Sequence, residues 1–168
     1  MKLFDYCPSC GSRDIFFDRL KKFNCKACSF TYYHNVAAAA AAILQFDQEI
    51  VLIRRAKAPG QGKLDLPGGF LDPEEAAEDA LRREIKEELQ IDIGTLEYLG
   101  SWPNIYEYKG VRYHTCDLFF YSKIGKLPGN FDRTEVEGLV LVNPSEIPMD
   151  DIAFESTKAA LALFGQNL

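Results

Sequence analysis

Three glutamates stand close together in the segment REIKEEL at residues 83–89. Glu84, Glu87 and Glu88 are spaced i, i+3 and i+4, so on a helix they would share one face and repel one another by roughly 0.2–0.5 kcal/mol per pair. Carboxylates on a fixed helix can instead converge on a hard divalent cation such as magnesium, which prefers oxygen ligands. The spacing therefore leaves two interpretations open, a solvated acidic face and a magnesium site.

The segment LPGGF at residues 66–70 comes shortly before these glutamates. Gly68 and Gly69 permit positive φ or a close approach of the backbone to a bound group. A carbonyl oxygen here could also complete a metal coordination shell. An ordinary turn explains such a pair equally well when it stands alone, but its position upstream of the clustered carboxylates favours the metal site.

Four of the five cysteines form two C-x-x-C pairs. Cys7 with Cys10 and Cys25 with Cys28 have the ligand spacing of a four-thiolate zinc site, whose closed shell leaves no position for substrate. Two disulfides are disfavoured because the chain shows no secretory signal, and a redox motif would not need a second copy. We therefore expect structural zinc.

The segment between the two cysteine pairs is too poor in apolar residues to form a core of its own. We therefore expect the metal to supply the folding free energy of this segment. The apolar residues in question are Ile15, Phe16, Phe17, Leu20 and Phe23.

The composition indicates a globular protein. With 168 residues, 47% of them hydrophobic and 26% charged, the chain can bury one main core and carry a small appendage. A net charge of -6 argues against a surface built mainly to hold a polyanion, although Lys21, Lys22 and Lys26 leave room for a local RNA contact. There is neither an apolar run of 18 residues nor a basic-then-apolar N-terminus, so we expect no membrane span and a cytoplasmic location.

The pattern of apolar residues predicts strands and helices on both sides of the glutamates. Six alanines at residues 37–42 favour a helix, but the turn-like QFDQE and the strand-like IVLIRRA that follow favour a strand over 36–46. Small side chains on this strand would allow another group to pack closely on the sheet. Further strands are expected over 96–124, with a turn at 108–110, and over 137–142.

Two helices complete this outline. Asp72 is predicted to cap the first, with Pro73 at its first position and Glu75 three residues after the cap, as in a capping box. Its apolar residues recur every four positions and would pack on the sheet, so that Glu84 and Glu88 border the buried face. They are Ala77, Leu81, Ile85 and Leu89. The second helix is predicted over 152–164, with Phe154, Ala160, Leu161 and Phe164 toward the core.

The residues around the glutamates resemble a known family signature. Gly69, Glu75 and the run REIKEELQI at 83–91 are similar to the Nudix box of the Nudix hydrolase family. Gln90 departs from it, because the family usually has Gly at that position, and a left-handed non-Gly residue after a helix costs on the order of 1 kcal/mol. The order of ribbon, LIRRA, GKLDLPGGF and box resembles the zinc-ribbon branch, which includes the NADH pyrophosphatases.

The resemblance implies an α/β fold, an α/β/α sandwich with a mixed sheet between helices. We expect a small zinc ribbon over residues 1–34 and a Nudix hydrolase domain over 35–168. A homodimer is also implied. The segment SWPNIYEYKGVRY after the box differs from the proline- and tryptophan-containing NADH pyrophosphatase signature, so NADH specificity does not carry over.

The resemblance also implies a reaction. Nudix hydrolases use Mg²⁺ or Mn²⁺ to cleave a nucleoside diphosphate linked to another group, such as ADP-ribose, NADH or a related dinucleotide, by attack of water at phosphorus. Glu84, Glu87 and Glu88 would be the main ligands, with one of them a candidate base. The Gly69 carbonyl would complete the shell, and Glu75 would either support an outer metal or only cap the helix.

Other roles follow from the same resemblance. Arg83 would brace the box glutamates instead of standing exposed on the helix. Glu135 and Glu137 are candidate general bases in a later loop, with ordinary surface acids as the alternative.

Several residues are candidates for binding the nucleotide substrate. Gly68 and Gly69 would lie against it. Arg54 and Arg55 end a strand near the expected cleft, and alternation would send only one of them toward a substrate phosphate. Trp102 is the preferred candidate for stacking on a nucleobase, and core packing is the alternative role for it and for the neighbouring tyrosines.

A second interpretation belongs to a different class. The ribbon could grip nucleic acid or protein while the Nudix domain serves as a ligand sensor. The presence of all three metal carboxylates favours hydrolysis, because a sensor need not keep them.

Overall fold

The computed structural model describes residues 4–18 and 21–166. Its contacts divide the described chain into two compact units, one ending at Val36 and the other beginning at Ala37. Leu20, one of the apolar residues expected in the ribbon, lies outside the described residues. Among the helices that the structure describes, none combines the length and apolar character needed to cross a membrane.

The first unit contains a small antiparallel sheet. Its strands are β1 (Ile15–Asp18), β2 (Lys22–Cys25) and β3 (Thr31–Tyr33), in that spatial order. The core is minimal: Phe23 is buried together with Cys7 and Cys25, and the Phe17 ring lies 5.4 Å from the Phe23 ring. So small a core needs a cross-link to hold it together.

The second unit is built on a seven-stranded mixed sheet. The strands are β4 (Ala37–Phe46), β5 (Glu49–Arg55), β6 (Leu64–Asp65), β7 (Gly68–Phe70), β8 (Glu97–Tyr108), β9 (Val111–Lys123) and β10 (Val136–Val142). Their order is β10-β5-β4-β9-β8, with β6 paired to β5 and β7 paired to β4. Strands β4 and β9 run parallel, and the other pairs are antiparallel.

The alanine-rich segment is a strand, as predicted. Residues of β4 pair along their length with β9 and also with β5 and β7, so sheet hydrogen bonds override the helix propensity of alanine. Alternate β4 side chains then serve opposite faces of the sheet.

Helices cover both faces and confirm the predicted α/β/α sandwich. Helix α1 (Ala77–Leu89) packs Leu81 and Ile85 in one core cluster with Ala40 and Ala42 of β4. Helix α2 (Glu155–Gln166) packs in a second cluster that contains Ile43. These clusters fix α1, and with it the glutamates, against the centre of the sheet.

The β8–β9 connection is a two-residue hairpin, as the sequence predicts. Tyr108 pairs with Val111, and the residues between them, Lys109 and Gly110, have φ of 48° and 78°. Positive φ at both central positions is typical of a type I′ turn, which matches the twist of the flanking strands.

The predicted start of α1 is wrong. The helix begins at Ala77, and Ala76 precedes it without a side-chain cap. Asp72 instead donates its backbone N–H to Glu75 Oε2 at 3.0 Å, in a turn before the helix, and Glu74 has φ of 67°, which no helical residue adopts. The capping-box bond thus forms one turn ahead of the helix.

Helix α2 also begins later than predicted, at Glu155. Ile152 is buried but extended, since it forms an isolated parallel bridge with Leu64. Phe154, predicted to face the core from within the helix, lies before it and lines a cavity. Ala160, Leu161 and Phe164 are buried on the helix as expected.

Candidate active site

A cavity of about 420 Å³ opens in the second unit, between the α1 glutamates and strand β9. Glu84, Glu87 and Glu88 together form part of its lining. The lining also includes five other acids, Asp65, Asp72, Asp117, Asp132 and Glu135, but a single arginine, Arg55. Such an excess of carboxylates suits cations or hydrogen-bond donors, and an anionic ligand would need metal ions beside it.

Glu88 is the most buried of the three glutamates, with 8% of its surface exposed. Its Oε2 accepts a hydrogen bond from the backbone N–H of Gly68 at 2.9 Å. Burial raises the pKa of Glu88 to about 8, although the Gly68 hydrogen bond opposes the shift, and the nearby Glu84 charge adds to it. A divalent cation at this position would replace the proton and relieve the repulsion.

The paired glycines are required by close contacts on β7. A Cβ on Gly69 would lie 2.4–2.7 Å from the Glu84 carboxylate atoms. Gly68 has φ of 143°, and a Cβ there would lie 2.2 Å from the Ala40 carbonyl oxygen. The two glycines are therefore strand residues that let β4 and Glu84 approach, and the ordinary-turn interpretation does not apply.

Arg83 joins the acidic residues into one network. Its Nε and Nη2 donate to the two Glu75 oxygens at 2.9 Å each, and its Nη1 donates to Glu84 Oε1 at 2.7 Å. Nη1 also lies 3.6 Å from Glu87 Oε2. These bonds raise the pKa of Arg83 and lower that of Glu75. Arg83 is thus placed where a bracing residue must be.

Glu75 is held by this network away from the cavity. Both of its oxygens bond Arg83, one of them also accepts the Asp72 N–H, and it is not among the residues that line the cavity. The arrangement accounts for Glu75 as a partner of Arg83 and offers no support for Glu75 as an outer metal ligand.

The donor set beside α1 fits a hard cation. Glu84, Glu87 and Glu88 line the same cavity, and Gly69 of β7 adjoins the Glu84 carboxylate. Oxygen-only donors are the ligands that magnesium and manganese prefer, whereas zinc and copper favour nitrogen and sulfur. Burial raises the pKa of Glu84 as well, because its charged form is partly desolvated.

Only one of the two strand-end arginines reaches the cavity. Arg55 lines it and donates Nη1 to Asp65 Oδ2 at 2.9 Å, with its guanidinium carbon 4.9 Å from the Phe154 ring centroid. Arg54 points to the other side, toward the Gly62 carbonyl and Asp151. Arg54 as a substrate ligand is therefore not supported by its position.

Of the two candidate general bases, again only one lines the cavity. Glu135 lines the cavity and pairs with Lys57, which raises the pKa of that lysine. Glu137 is exposed on β10 and does not line it. Of the two predicted bases, only Glu135 shares a cavity with the box glutamates.

Trp102 is partly buried against the core and does not line the cavity. It packs in the cluster beneath α2 with its ring centroid 5.6 Å from that of Phe119. The aromatic residues that do line the cavity are Phe70, Tyr106, Phe119 and Phe154. Trp102 is opposite Asp117 in the β8–β9 register and therefore lies on the same face of the sheet, but its ring packs toward α2.

Sequence reasoning missed the polar residues on the far side of the cavity. Asp65 and Asp117 are buried on strands, and they accept hydrogen bonds from Thr157 and Ser156 at the start of α2. A single acid inside the apolar run TCDLFF was the available signal for Asp117, since an unpaired charge in a buried strand is costly.

The four cysteines of the first unit form a cluster that fits zinc. Their sulfur atoms all lie within 4.8 Å of one another. Cys7 Sγ is 3.7 Å from Cys28 Sγ, and Cys10 Sγ is 3.6 Å from Cys25 Sγ. The edge of a tetrahedron with 2.3 Å Zn–S bonds is about 3.8 Å. The thiols are free, which argues against the two-disulfide alternative.

Comparison with known proteins assigns the family. The family model described as NUDIX domain matches residues 34–163, most of the chain. The protein therefore belongs to the Nudix family, as its resemblance to the Nudix box predicts. A crystal structure of a NUDIX hydrolase from Nitrosomonas europaea matches this protein with a TM-score of 0.69 and 25% sequence identity. The match covers 96% of this chain and 90% of the Nitrosomonas chain, which confirms the fold.

Two curated relatives show how far the similarity extends. A Pseudomonas fluorescens (strain Pf0-1) protein named NAD-capped RNA hydrolase NudC is 30% identical over 100 residues, 58% of this chain but 36% of that protein. A Methanocaldococcus jannaschii protein named ADP-ribose pyrophosphatase is 31% identical over 123 residues, 72% of each chain. The match thus spans about a third of the first relative and most of the second.

Proposed function

We propose that this protein is a Mg²⁺- or Mn²⁺-dependent pyrophosphohydrolase that cleaves a nucleoside diphosphate linked to another moiety, with ADP-ribose, NADH or a related dinucleotide as substrate. The observation that carries the proposal is the convergence of Glu84, Glu87 and Glu88 on one cavity, with Arg83 bonded to Glu84. The names of the two relatives, a NAD-capped RNA hydrolase and an ADP-ribose pyrophosphatase, support the same substrate class.

The three glutamates would hold the metal. When bound, a divalent cation neutralises charge on a diphosphate and lowers the pKa of water. Glu88 is oriented by the Gly68 N–H and Glu84 by Arg83, so two of the carboxylates are positioned before a cation arrives. Such preorganisation lowers the cost of assembling the site during the reaction.

Glu135 is the candidate general base. In the reaction a water oxygen bonds to phosphorus, the phosphoanhydride P–O bond breaks, and the water proton passes to a carboxylate. For ADP-ribose the products are AMP and ribose 5-phosphate. Glu135 lines the cavity, and Lys57 holds its side chain. Arg55 lines the same cavity and is the remaining candidate for a phosphate contact.

The test is a substrate panel of ADP-ribose, NADH and NAD-capped RNA with Mg²⁺, with products identified by mass spectrometry. We expect AMP or an NMN-type product from the wild type, and its loss by a factor of about 100 or more in Glu88→Gln. Glu78→Gln, on the exposed side of the same helix, is the matched control and should keep full activity. Tight binding of these compounds without turnover would instead indicate a ligand sensor.

A further inference from the structure

Asp117 is a buried carboxylate that the proposed hydrolysis does not use. It lines the cavity from β9 and is 9% exposed. Its Oδ2 accepts a hydrogen bond from Ser156 Oγ at 2.7 Å. Among the described residues, no lysine or arginine pairs with it. A buried charge without a cation or a full set of donors is costly, so its retention needs a reason.

Asp65, in the same cavity, has most of its hydrogen-bond acceptor positions occupied. It accepts hydrogen bonds from Arg55 Nη1, Thr157 Oγ1 and the Leu66 backbone N–H, each at 2.9 Å. A carboxylate has about four acceptor positions, and these three donors occupy most of them. Asp117 has a single donor among the described residues, so it retains acceptor capacity for a ligand.

Thr115 adds a second unsatisfied group beside Asp117. It lies two residues earlier on β9, hence on the same face of the sheet, and is 4% exposed. Its Oγ1 is buried and has no hydrogen-bond partner among the described residues. Thr115 and Asp117 pair with Ala37 and Ala39 of β4, whose small side chains leave space above the sheet.

The two ends of the cavity suit different chemical groups. The glutamates are carried by α1, whose core cluster contains Ala40 and Ala42, whereas Asp117 bonds to α2 on the opposite side of the sheet. A phosphate would be repelled by the Asp117 carboxylate, so it belongs at the glutamate end beside cations. The group that reaches Asp117 must be uncharged or cationic and must carry N–H or O–H donors.

We propose that Asp117 and Thr115 form a specificity subsite for a nucleotide ring that carries an exocyclic amino or carboxamide group. This inference rests on the proposed function, because it names the part of the substrate that hydrolysis leaves intact. The Tyr106 and Phe154 rings, 5.8 Å apart, line the same cavity and supply apolar surface for the ring. Adenine and nicotinamide both carry the required N–H₂ group.

The substitution of an oxygen for this amino group gives the test. Hypoxanthine places a carbonyl where adenine has N–H₂, and nicotinic acid places a carboxylate where nicotinamide has an amide. Either change puts an acceptor against the Asp117 carboxylate. AMP, IMP, NMN and nicotinic acid mononucleotide contain no phosphoanhydride, so their affinities in the presence of Mg²⁺ can be measured by titration calorimetry without turnover.

We expect the wild type to bind the amino or amide form of at least one pair about tenfold more tightly than its oxygen counterpart. In Asp117→Asn the amide oxygen can keep the Ser156 hydrogen bond and turn N–H₂ toward the ring, so the preference should vanish or reverse. Asp150→Asn makes the same chemical change at an exposed position and should keep the wild-type preference. Thr115→Val removes only the hydroxyl and should weaken the preferred ligand several-fold.

Each binding result has a distinct meaning for the proposed subsite. Preference within the AMP pair places adenine at Asp117, and preference within the NMN pair places nicotinamide there. Equal affinity within both pairs, or an unchanged preference in Asp117→Asn, would overturn the proposal. If Asp117→Asn does not fold, unchanged affinities in Thr115→Val would overturn it. Selective binding by a wild type that hydrolyses nothing would contradict the proposed function and leave this subsite standing.

Discussion

Gly68 and Gly69 are neighbours on β7, but a methyl group has a different consequence at each. At Gly69 the obstacle is the end of the flexible Glu84 side chain, 2.4–2.7 Å away. We expect Gly69→Ala to displace that carboxylate and to lower turnover and apparent Mg²⁺ affinity about tenfold or more, with the free energy of unfolding changed by less than about 1 kcal/mol.

At Gly68 the obstacle is the Ala40 backbone, and the φ of 143° also disfavours any other residue. Gly68→Ala should therefore lower the free energy of unfolding by about 2–3 kcal/mol or more. Urea unfolding followed by the fluorescence of Trp102, the single tryptophan, measures both variants. The assignment of roles fails if Gly69→Ala loses stability and keeps its Mg²⁺ affinity.

Glu75 should make stability depend on pH in the acid range. Its side-chain bonds to Arg83 and the Asp72 N–H lower its pKa below the ordinary value of 4.5. The stabilisation from its charged form is therefore complete above about pH 4.5 and is lost as the pH falls through the lowered pKa. We expect the stability difference between wild type and Glu75→Gln to narrow steadily as the pH drops below that value.

Urea unfolding from neutral pH to below pH 4 would measure this difference. Glu97→Gln, an exposed acid on β8, serves as the control and should show no such narrowing. A difference that is constant with pH would mean that the Glu75 network contributes through hydrogen bonding alone.

At this scale the sequence predicted what lies close in the chain. Glu84, Glu87 and Glu88 share a face because of helix spacing, and Arg83 beside them bonds as expected. Asp117 and Ser156 are 39 residues apart, and their contact depends on where α2 begins. Trp102 was misplaced for a related reason, because the sequence of a strand does not show which residues of one face are covered by a helix.

Helix α1 ends on a residue in an unfavourable conformation. Gln90 adopts φ of 57° and ψ of 28°, the left-handed region, and its N–H bonds to the Lys86 carbonyl. We expect Gln90→Gly to raise the free energy of unfolding by about 0.5–1 kcal/mol, since glycine adopts this conformation without steric cost. Trp102 fluorescence in urea measures the change, and a loss of stability would show that the Gln90 side chain contributes more than the strain costs.

The elements were predicted best where periodicity or turn chemistry is strong. The β8–β9 hairpin follows from Lys109-Gly110, and the α1 stripe follows from the spacing of Leu81, Ile85 and Leu89. The predicted start of α1 was wrong because Glu75 accepts hydrogen bonds from Arg83, eight residues later. This contact forms only once the chain has folded. The alanine-rich strand β4 could be predicted only by weighing the neighbouring segments against the helix propensity of alanine. Its pairing partner β9 lies more than 70 residues away, so local sequence does not reveal the pairing.

At the scale of the whole molecule, the two compact units should lose their structure separately. We expect one zinc ion per chain, bound by Cys7, Cys10, Cys25 and Cys28, and its removal should unfold the first unit while leaving the second intact. Elemental analysis gives the stoichiometry, and NMR during chelation reports the two units independently.

Cys25→Ser should abolish the bound zinc, whereas Cys116→Ser, which changes the cysteine outside the cluster, should retain it. Retention of stoichiometric zinc by Cys25→Ser, or simultaneous unfolding of both units on chelation, would contradict this assignment.

Arg83 gives the second unit a permanent positive charge among its clustered acids. Because this built-in counter-ion bonds Glu75 and Glu84 directly, we expect the unit to reach its native state without magnesium. For the proposed magnesium-dependent hydrolase, a fall in cellular magnesium would then slow the reaction without reducing the quantity of folded protein. Zinc starvation would act on the other unit during folding, by leaving newly made chains without the proposed metal cross-link and open to degradation.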